Sequence, residues 1–94
     1  MSRFDAMQHF IRVADLGSFA AAADQLGVAR SVVTRRIAAL EEHLGVKLIT
    51  RTTRKLTLTS AGVVYLERCR RILQAIDDAE SEVMASSQTP RGQV

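Results

Sequence analysis

The sequence predicts a mainly α-helical fold in which three helices and a short β-hairpin precede one long C-terminal helix. Through residues 1–45, apolar residues recur at helical spacings of three and four, and glycines divide the pattern into three parts. Residues 47–58 contain more β-branched residues and partly alternate apolar with polar positions, as strands do. From residue 65 to residue 83 the apolar spacing is 4-3-4-3-4, which is typical of a long helix with an apolar seam.

The first three helices are predicted from their caps as well as from their apolar stripes. The first should end near residue 16, because Gly17 is a natural C-terminal cap. Ser18 is the expected N-cap of a short second helix, Phe19–Leu26. The third should run from about Arg30 to Leu44 before Gly45 ends it, with an inward stripe of Val33, Ile37, Leu40 and Leu44.

A β-hairpin with a basic tip is predicted next, from Lys47–Thr50 and Leu56–Leu58. Thr59 should cap the last helix, which is expected to reach about Ser86. The remaining residues are polar and include Pro90, so they are interpreted as a linker or a flexible end.

Positive charge is concentrated in one stretch of the chain. The whole chain has a formal net charge of +3. Residues 30–55 contain seven basic and two acidic side chains, a net +5, whereas the parts before and after them each sum to −1. Such a stretch is expected of a surface that faces phosphates, with an ordinary solvated face as the alternative.

Several classes of function are disfavoured by what the sequence lacks. A single cysteine, Cys69, provides neither a disulfide framework nor a multi-cysteine metal site. His9 and His43 have no ligand partner at i+4 and are interpreted as surface or boundary residues. The pair Glu41 and Glu42 is interpreted as a charged helix end. No nucleophile–base set or Gly-rich phosphate loop is present, so we expect no enzyme, no cofactor and no metal. Without a signal segment or an apolar run long enough for a bilayer, a cytoplasmic protein without a membrane partner is expected.

A short helix, a tight turn and a longer helix with a basic outer face form a helix-turn-helix, to which the hairpin adds a wing. The third helix would then enter the major groove of double-stranded DNA as the recognition helix. Its outward residues near the N-terminus are predicted to contact bases, namely Arg30, Ser31, Thr34 and Arg35. The wing tip, with Arg51, Arg54 and Lys55, could reach the neighbouring minor groove.

The seam of the last helix predicts a homodimer, because a helix of ~40 Å cannot bury such a seam on a small domain alone. A second apolar line, Leu66 and Leu73, lies beside it, so that one line can pack on the domain and the other on a partner. The predicted dimerisation residues are Tyr65, Cys69, Ile72, Ile76, Ala79 and Val83. Cys69 is interpreted as a small packing residue, with a redox switch as the alternative.

The chain from residue 2 to about residue 86 resembles the N-terminal domain of LysR-type transcriptional regulators. The residues that carry this resemblance are Phe10–Ala14, Gly17–Ala23, Leu26–Val28, Val33–Ile37, Leu40–Leu48, Arg51–Thr52 and Leu58–Gly62. The resemblance implies a winged helix-turn-helix at 1–59 and a linker helix at 60–87 that pairs antiparallel in a dimer, followed by a flexible tail at 88–94. It also implies a regulator that acts in the bacterial cytoplasm at the nucleoid. A C-terminal domain that senses a small-molecule effector would be absent from this piece, and a tetramer is possible in the full-length protein.

Position by position, the resemblance implies base contacts at Arg30, Ser31, Thr34 and Arg35 and a minor-groove contact at Arg54, with Lys55 beside it. Ser18, Arg36 and Arg51 are the expected phosphate contacts. Ser18 is first of all a helix cap, and Arg36 has a solvent-exposed side chain as its alternative role. The family usually has Ser at the position of Ala29, Gln at that of Arg30 and often Pro at that of Ser31. The operator preference of this chain should therefore differ from the family's usual one, and Arg30 is expected to contact guanine.

A competing interpretation is an adaptor module whose winged fold contacts protein. Such a module would favour apolar or mixed-sign residues on the outer face of the third helix, whereas this chain has Arg, Ser, Thr and Arg there.

Overall fold

The computed structural model describes residues 2–52 and 55–88. Three helices come first: α1 (Arg3–Leu16), α2 (Phe19–Leu26) and α3 (Arg30–Leu44). They are followed by two strands and one long helix, which are β1 (Ile49–Arg51), β2 (Leu56–Leu58) and α4 (Ser60–Gln88). The predicted fold class is confirmed. The end of α1 and both ends of α2 and α3 lie at the predicted residues.

Local cap chemistry explains those helix bounds. The Ser18 hydroxyl accepts a hydrogen bond from the Ala21 backbone N–H at 3.1 Å and so begins α2. Gly17 ends α1 with a left-handed backbone, φ 65°, which a residue with a side chain adopts only at a cost. Ala29, at the N-cap of α3, makes no side-chain hydrogen bond, as the absence of a Ser there predicts.

The hydrophobic core lies where α1, α2 and α3 meet, with β1 closing one side. Phe10 and Val13 of α1, Ala22 of α2 and Val33 of α3 have no exposed surface. The small alanines of α2 let the neighbouring helices pack close to it. Leu44, which was predicted to point inward, is 36% exposed because it occupies the last turn of α3, beyond the core.

The two strands pair antiparallel, with Ile49 opposite Leu58 and Arg51 opposite Leu56. The first strand begins two residues later than predicted, at Ile49. Where the chain enters this strand, Glu41 of α3 accepts hydrogen bonds from the backbone N–H groups of Leu48 and Ile49. Arg54, a predicted minor-groove residue, lies outside the described residues. The tail predicted at 88–94 begins later than expected, because Gln88 is still in α4, and residues 89–94 lie outside the described residues.

The first half of α4 packs on α1. Thr59 caps α4 by accepting a hydrogen bond from the Gly62 N–H at 3.0 Å, as predicted. The ring centroids of Phe10 and Tyr65 lie 5.6 Å apart, and Arg70 forms an ion pair with Asp15 at the end of α1. No helix within the described ranges is both long enough and apolar enough to cross a membrane.

Candidate nucleic-acid interface

The outer face of α3 begins with a row of polar and cationic residues. Arg30, Ser31 and Arg35 are exposed, whereas Thr34 is half-buried. The Thr34 hydroxyl donates to the carbonyl oxygen of Arg30 at 3.1 Å, and the Arg35 Nε donates to that of Ser31 at 3.4 Å. The four predicted base-contacting residues therefore lie together along the first turns of one helix, with three of them open to solvent.

Beside this face lies an open hollow of about 810 Å³, which we call the wing hollow. It lies between the start of α2, the start of α3 and the hairpin, and Ser18, Arg30, Arg51 and Lys55 are among the residues that line it. None of the described residues that line it is acidic. The hollow also contains the N-terminal end of α2, whose dipole favours an anion.

Arg51 is held in the wing hollow by an aromatic ring. Its guanidinium carbon lies 4.5 Å from the centroid of Phe19, the first residue of α2. A guanidinium over a ring face is attracted by the ring quadrupole and is still able to donate in its own plane. The predicted phosphate contact at Arg51 thus has an aromatic partner in Phe19, which the sequence analysis did not predict.

Glu41 connects the third helix to the wing. One carboxylate oxygen accepts from the backbone N–H of Leu48 at 2.8 Å and of Ile49 at 3.1 Å, and the other lies 3.5 Å from the Lys47 ammonium. The Glu41 side chain is only 11% exposed. The sequence interpretation of Glu41 as a charged helix end missed this role. The sequence contains one indication that Glu41 faces the rest of the domain, which is its position four residues after the inward Ile37, at the edge of the apolar stripe.

Arg36 lies on the opposite flank of α3, next to α1. It is partly buried, and its Nη1 contacts Nε2 of His9. His9 is itself buried, 7% exposed, so the interpretation of this histidine as a surface or boundary residue is wrong. Its ring is tolerated there because Nδ1 also has a partner, the Asp5 carbonyl oxygen at 2.7 Å.

The seam of α4 divides into two parts. Cys69 has no exposed surface and packs against Met7 and Ile11 of the same chain. The prediction that Cys69 contacts a dimer partner is therefore wrong. The first part of the seam packs on α1 of the same chain, which leaves Cys69 no surface for a partner. Half-buried Tyr65 faces α1 as well.

Later seam positions remain open to solvent. Ile72 is 47% exposed and Val83 68% exposed, Ile76 is half-buried and Ala79 is exposed. The neighbouring Met84 is 58% exposed and extends this apolar strip.

Burial also favours the neutral forms of two α1-facing groups, the Cys69 thiol and the Tyr65 phenol. Burial raises the pKa of the Cys69 thiol. The pKa of Tyr65 is raised to about 12, mainly by burial and to a smaller extent by the charge and hydrogen bond of Cys69. Redox chemistry of a cysteine requires the thiolate form and access to solvent. The structure thus favours the packing role of Cys69 over a redox switch.

A sequence comparison identifies the family to which this arrangement of helices and wing belongs. Residues 4–63 match the family model of the bacterial regulatory helix-turn-helix proteins, lysR family. The chain belongs to the lysR family. The matched residues run from α1 through the hairpin to the first turn of α4, so they include the outer face of α3 and the wing hollow.

Curated relatives of this lysR-family chain are transcriptional regulators. An HTH-type transcriptional repressor of Pseudomonas aeruginosa is 44% identical over 94 residues, which is all of this chain and 30% of the relative. The HTH-type transcriptional regulator CrgA of Neisseria meningitidis is 48% identical over 83 residues, 88% of this chain and 28% of the relative. The chain thus spans about 30% of the length of these relatives.

Solved lysR-type structures have the same fold. The CbnR DNA-binding domain in complex with DNA is 39% identical with a TM-score of 0.84, and the match covers 93% of this chain and 100% of that one. The BenM DNA-binding domain in complex with catB site 1 DNA is 27% identical with a TM-score of 0.87, covering 94% and 98%. Full-length CbnR complexed with its target DNA is 39% identical with a TM-score of 0.82, covering 93% of this chain and 30% of CbnR.

Proposed function

We propose that this chain binds double-stranded DNA sequence-specifically, as the DNA-binding part of a dimeric bacterial transcription regulator. The observation that carries the proposal is the continuous cationic surface formed by the outer face of α3 and the wing hollow, which share Arg30. A cationic helix face supports contact with base edges, and a hollow lined by cations at a helix N-terminus supports contact with phosphates. Similar domains, those of CbnR and BenM, were solved with DNA.

In this proposal α3 enters the major groove, and Arg30, Ser31, Thr34 and Arg35 contact the bases. Exposed Lys55 and the neighbouring Arg54 reach into the minor groove. Ser18, Arg36 and Arg51 bind backbone phosphates and fix the register of the domain on the duplex. Arg30 and Arg35 can each donate two hydrogen bonds to guanine, so the operator should contain guanine opposite them.

Dimerisation is proposed through the exposed part of the seam on α4. Ile72, Ile76, Ala79 and Val83 supply the apolar positions, to which Met84 adds. A second copy of the chain is the occupant that such a seam favours, because heptad-spaced residues pack against the same pattern on another helix. In the longer protein, a C-terminal effector-binding domain would add small-molecule control, and the full-length regulator would be able to form tetramers. We propose that this regulator works in the cytoplasm and has no catalytic activity of its own.

Replacement of Arg35 by Ala tests the recognition-helix assignment. We expect binding to a selected operator to weaken by roughly 1–3 kcal/mol and specificity at one base pair to relax, because a base contact is lost. Fluorescence anisotropy with the operator and with single-base variants of it measures both effects. Arg12→Ala, which removes the same charge from an exposed position on α1, is the matched control and should bind nearly as the wild type does. Unchanged affinity and specificity for Arg35→Ala would remove α3 from the recognition role.

A further inference from the structure

His9 is a buried polar residue whose two ring nitrogens both have partners. Nδ1 lies 2.7 Å from the carbonyl oxygen of Asp5, and Nε2 contacts Nη1 of Arg36 across the α1–α3 boundary. A guanidinium has donors only, so Nε2 must accept and Nδ1 must carry the proton that it donates to Asp5. The contacts therefore fix a neutral imidazole in a single tautomer, with its acceptor directed at Arg36.

The arginine that His9 holds lies at a second cationic hollow. This hollow lies on the α1 flank of α3, away from the hairpin, and Arg3, Arg36 and His43 are among its lining residues. None of the described residues that line it is acidic, and Arg36 is in no ion pair within the described ranges. A guanidinium carries five N–H donors, of which His9 engages one, so the others remain for an anion outside the chain.

We propose that His9 is a positioning residue for DNA binding, which holds the Arg36 guanidinium at the α1 flank of α3 where it contacts a backbone phosphate. The inference rests on the proposed function. A helix in the major groove has a phosphate backbone on each side of it, and the wing hollow can contact the backbone on only one side. An arginine that is already held in one conformation loses less side-chain freedom when it contacts a phosphate.

His9→Phe and Arg36→Ala, singly and together, test this coupling. Phe keeps a ring of similar size in the core but has no acceptor for Arg36. We expect His9→Phe to weaken binding to a selected operator roughly three- to tenfold. Arg36→Ala should weaken binding to all duplex sequences alike and lower the slope of log affinity against log salt by about one. In the His9→Phe background, Arg36→Ala should cost clearly less than it does in the wild type.

His9→Gln provides a rescue, since the amide oxygen of Gln can accept from Arg36 in place of Nε2. We expect this variant to bind with nearly the affinity and salt slope of the wild type. It also maintains the test if His9→Phe does not fold, because a loss of binding in His9→Gln as large as that in Arg36→Ala would contradict the proposal.

A purely structural contact between α1 and α3 predicts a different result. Both single variants would then lower the melting temperature but would leave the affinity and the salt slope of the folded domain unchanged, and the proposal would be overturned. An equal cost of Arg36→Ala in both backgrounds would overturn it too. In these outcomes the wild type still binds its operator and the proposed function stands, whereas a wild type that binds no duplex would remove the proposed function as well.

Discussion

Gly62 determines how closely the start of α4 can approach the wing. A Cβ atom built at this position would lie 2.1 Å from the carbonyl oxygen of Leu48, a backbone atom that cannot rotate away. The Thr59 hydroxyl, which caps α4, also donates to the neighbouring carbonyl of Lys47 at 2.6 Å. These two residues hold the junction between β1, β2 and α4, and therefore set where the long helix leaves the domain.

Gly62→Ala is expected to destabilise the domain, although Ala is the better helix former by up to about 1 kcal/mol. The added methyl must displace backbone, so we expect a loss of roughly 1–3 kcal/mol in the free energy of unfolding. Urea denaturation followed by circular dichroism measures it. Val63→Ala, at the adjacent exposed position, should change stability by no more than about 0.5 kcal/mol. An increase in stability for Gly62→Ala would show that the close approach is absent.

At the scale of elements, the helix bounds could be predicted from the sequence and the tertiary partners could not. Gly17 and Ser18 end one helix and begin the next through local backbone and cap chemistry, which a short stretch of sequence contains. The seam of α4 contains no comparable information about its partner, because a heptad pattern packs equally well on the same chain or on another. Cys69 was for this reason assigned to the wrong surface.

The site was predictable to a similar extent. The spacing of polar residues predicts which face of a helix is exposed, so Arg30, Ser31 and Arg35 could be assigned to the exposed face of α3 from the sequence. The partners of His9 and Glu41 could not, because each side chain meets atoms of another element, and that proximity exists only after the helices have packed.

Glu41 and Glu42 offer a matched pair for testing the connection between α3 and the wing. Glu41→Ala leaves the backbone N–H groups of Leu48 and Ile49 without their carboxylate, and buried donors that lose a partner cost about 1–3 kcal/mol of stability. Glu42→Ala removes the same charge from an exposed side chain, so we expect a change within about 0.5 kcal/mol. Thermal unfolding of the two variants makes the comparison, and equal melting temperatures would remove the positioning role of Glu41.

At the scale of the whole molecule, the first half of α4 packs on the same domain that contains the outer face of α3. Packing of Cys69 on α1 and the ion pair between Asp15 and Arg70 fix the direction in which α4 leaves the domain. The exposed seam from Ile72 to Val83 then lies on a helix whose orientation relative to α3 is set. Two copies joined through that seam would hold their two α3 helices, the proposed recognition helices, at one distance and in one symmetry.

Selection of bound sequences from random DNA duplexes tests this account most directly. The wild-type chain is mixed with a random pool, and the retained duplexes are sequenced after repeated rounds. The account predicts an enriched operator of two half-sites related by two-fold symmetry at one fixed spacing, with guanine in each half-site opposite an arginine of α3. A retained pool with no enriched sequence, or with single half-sites at random spacing, would contradict it.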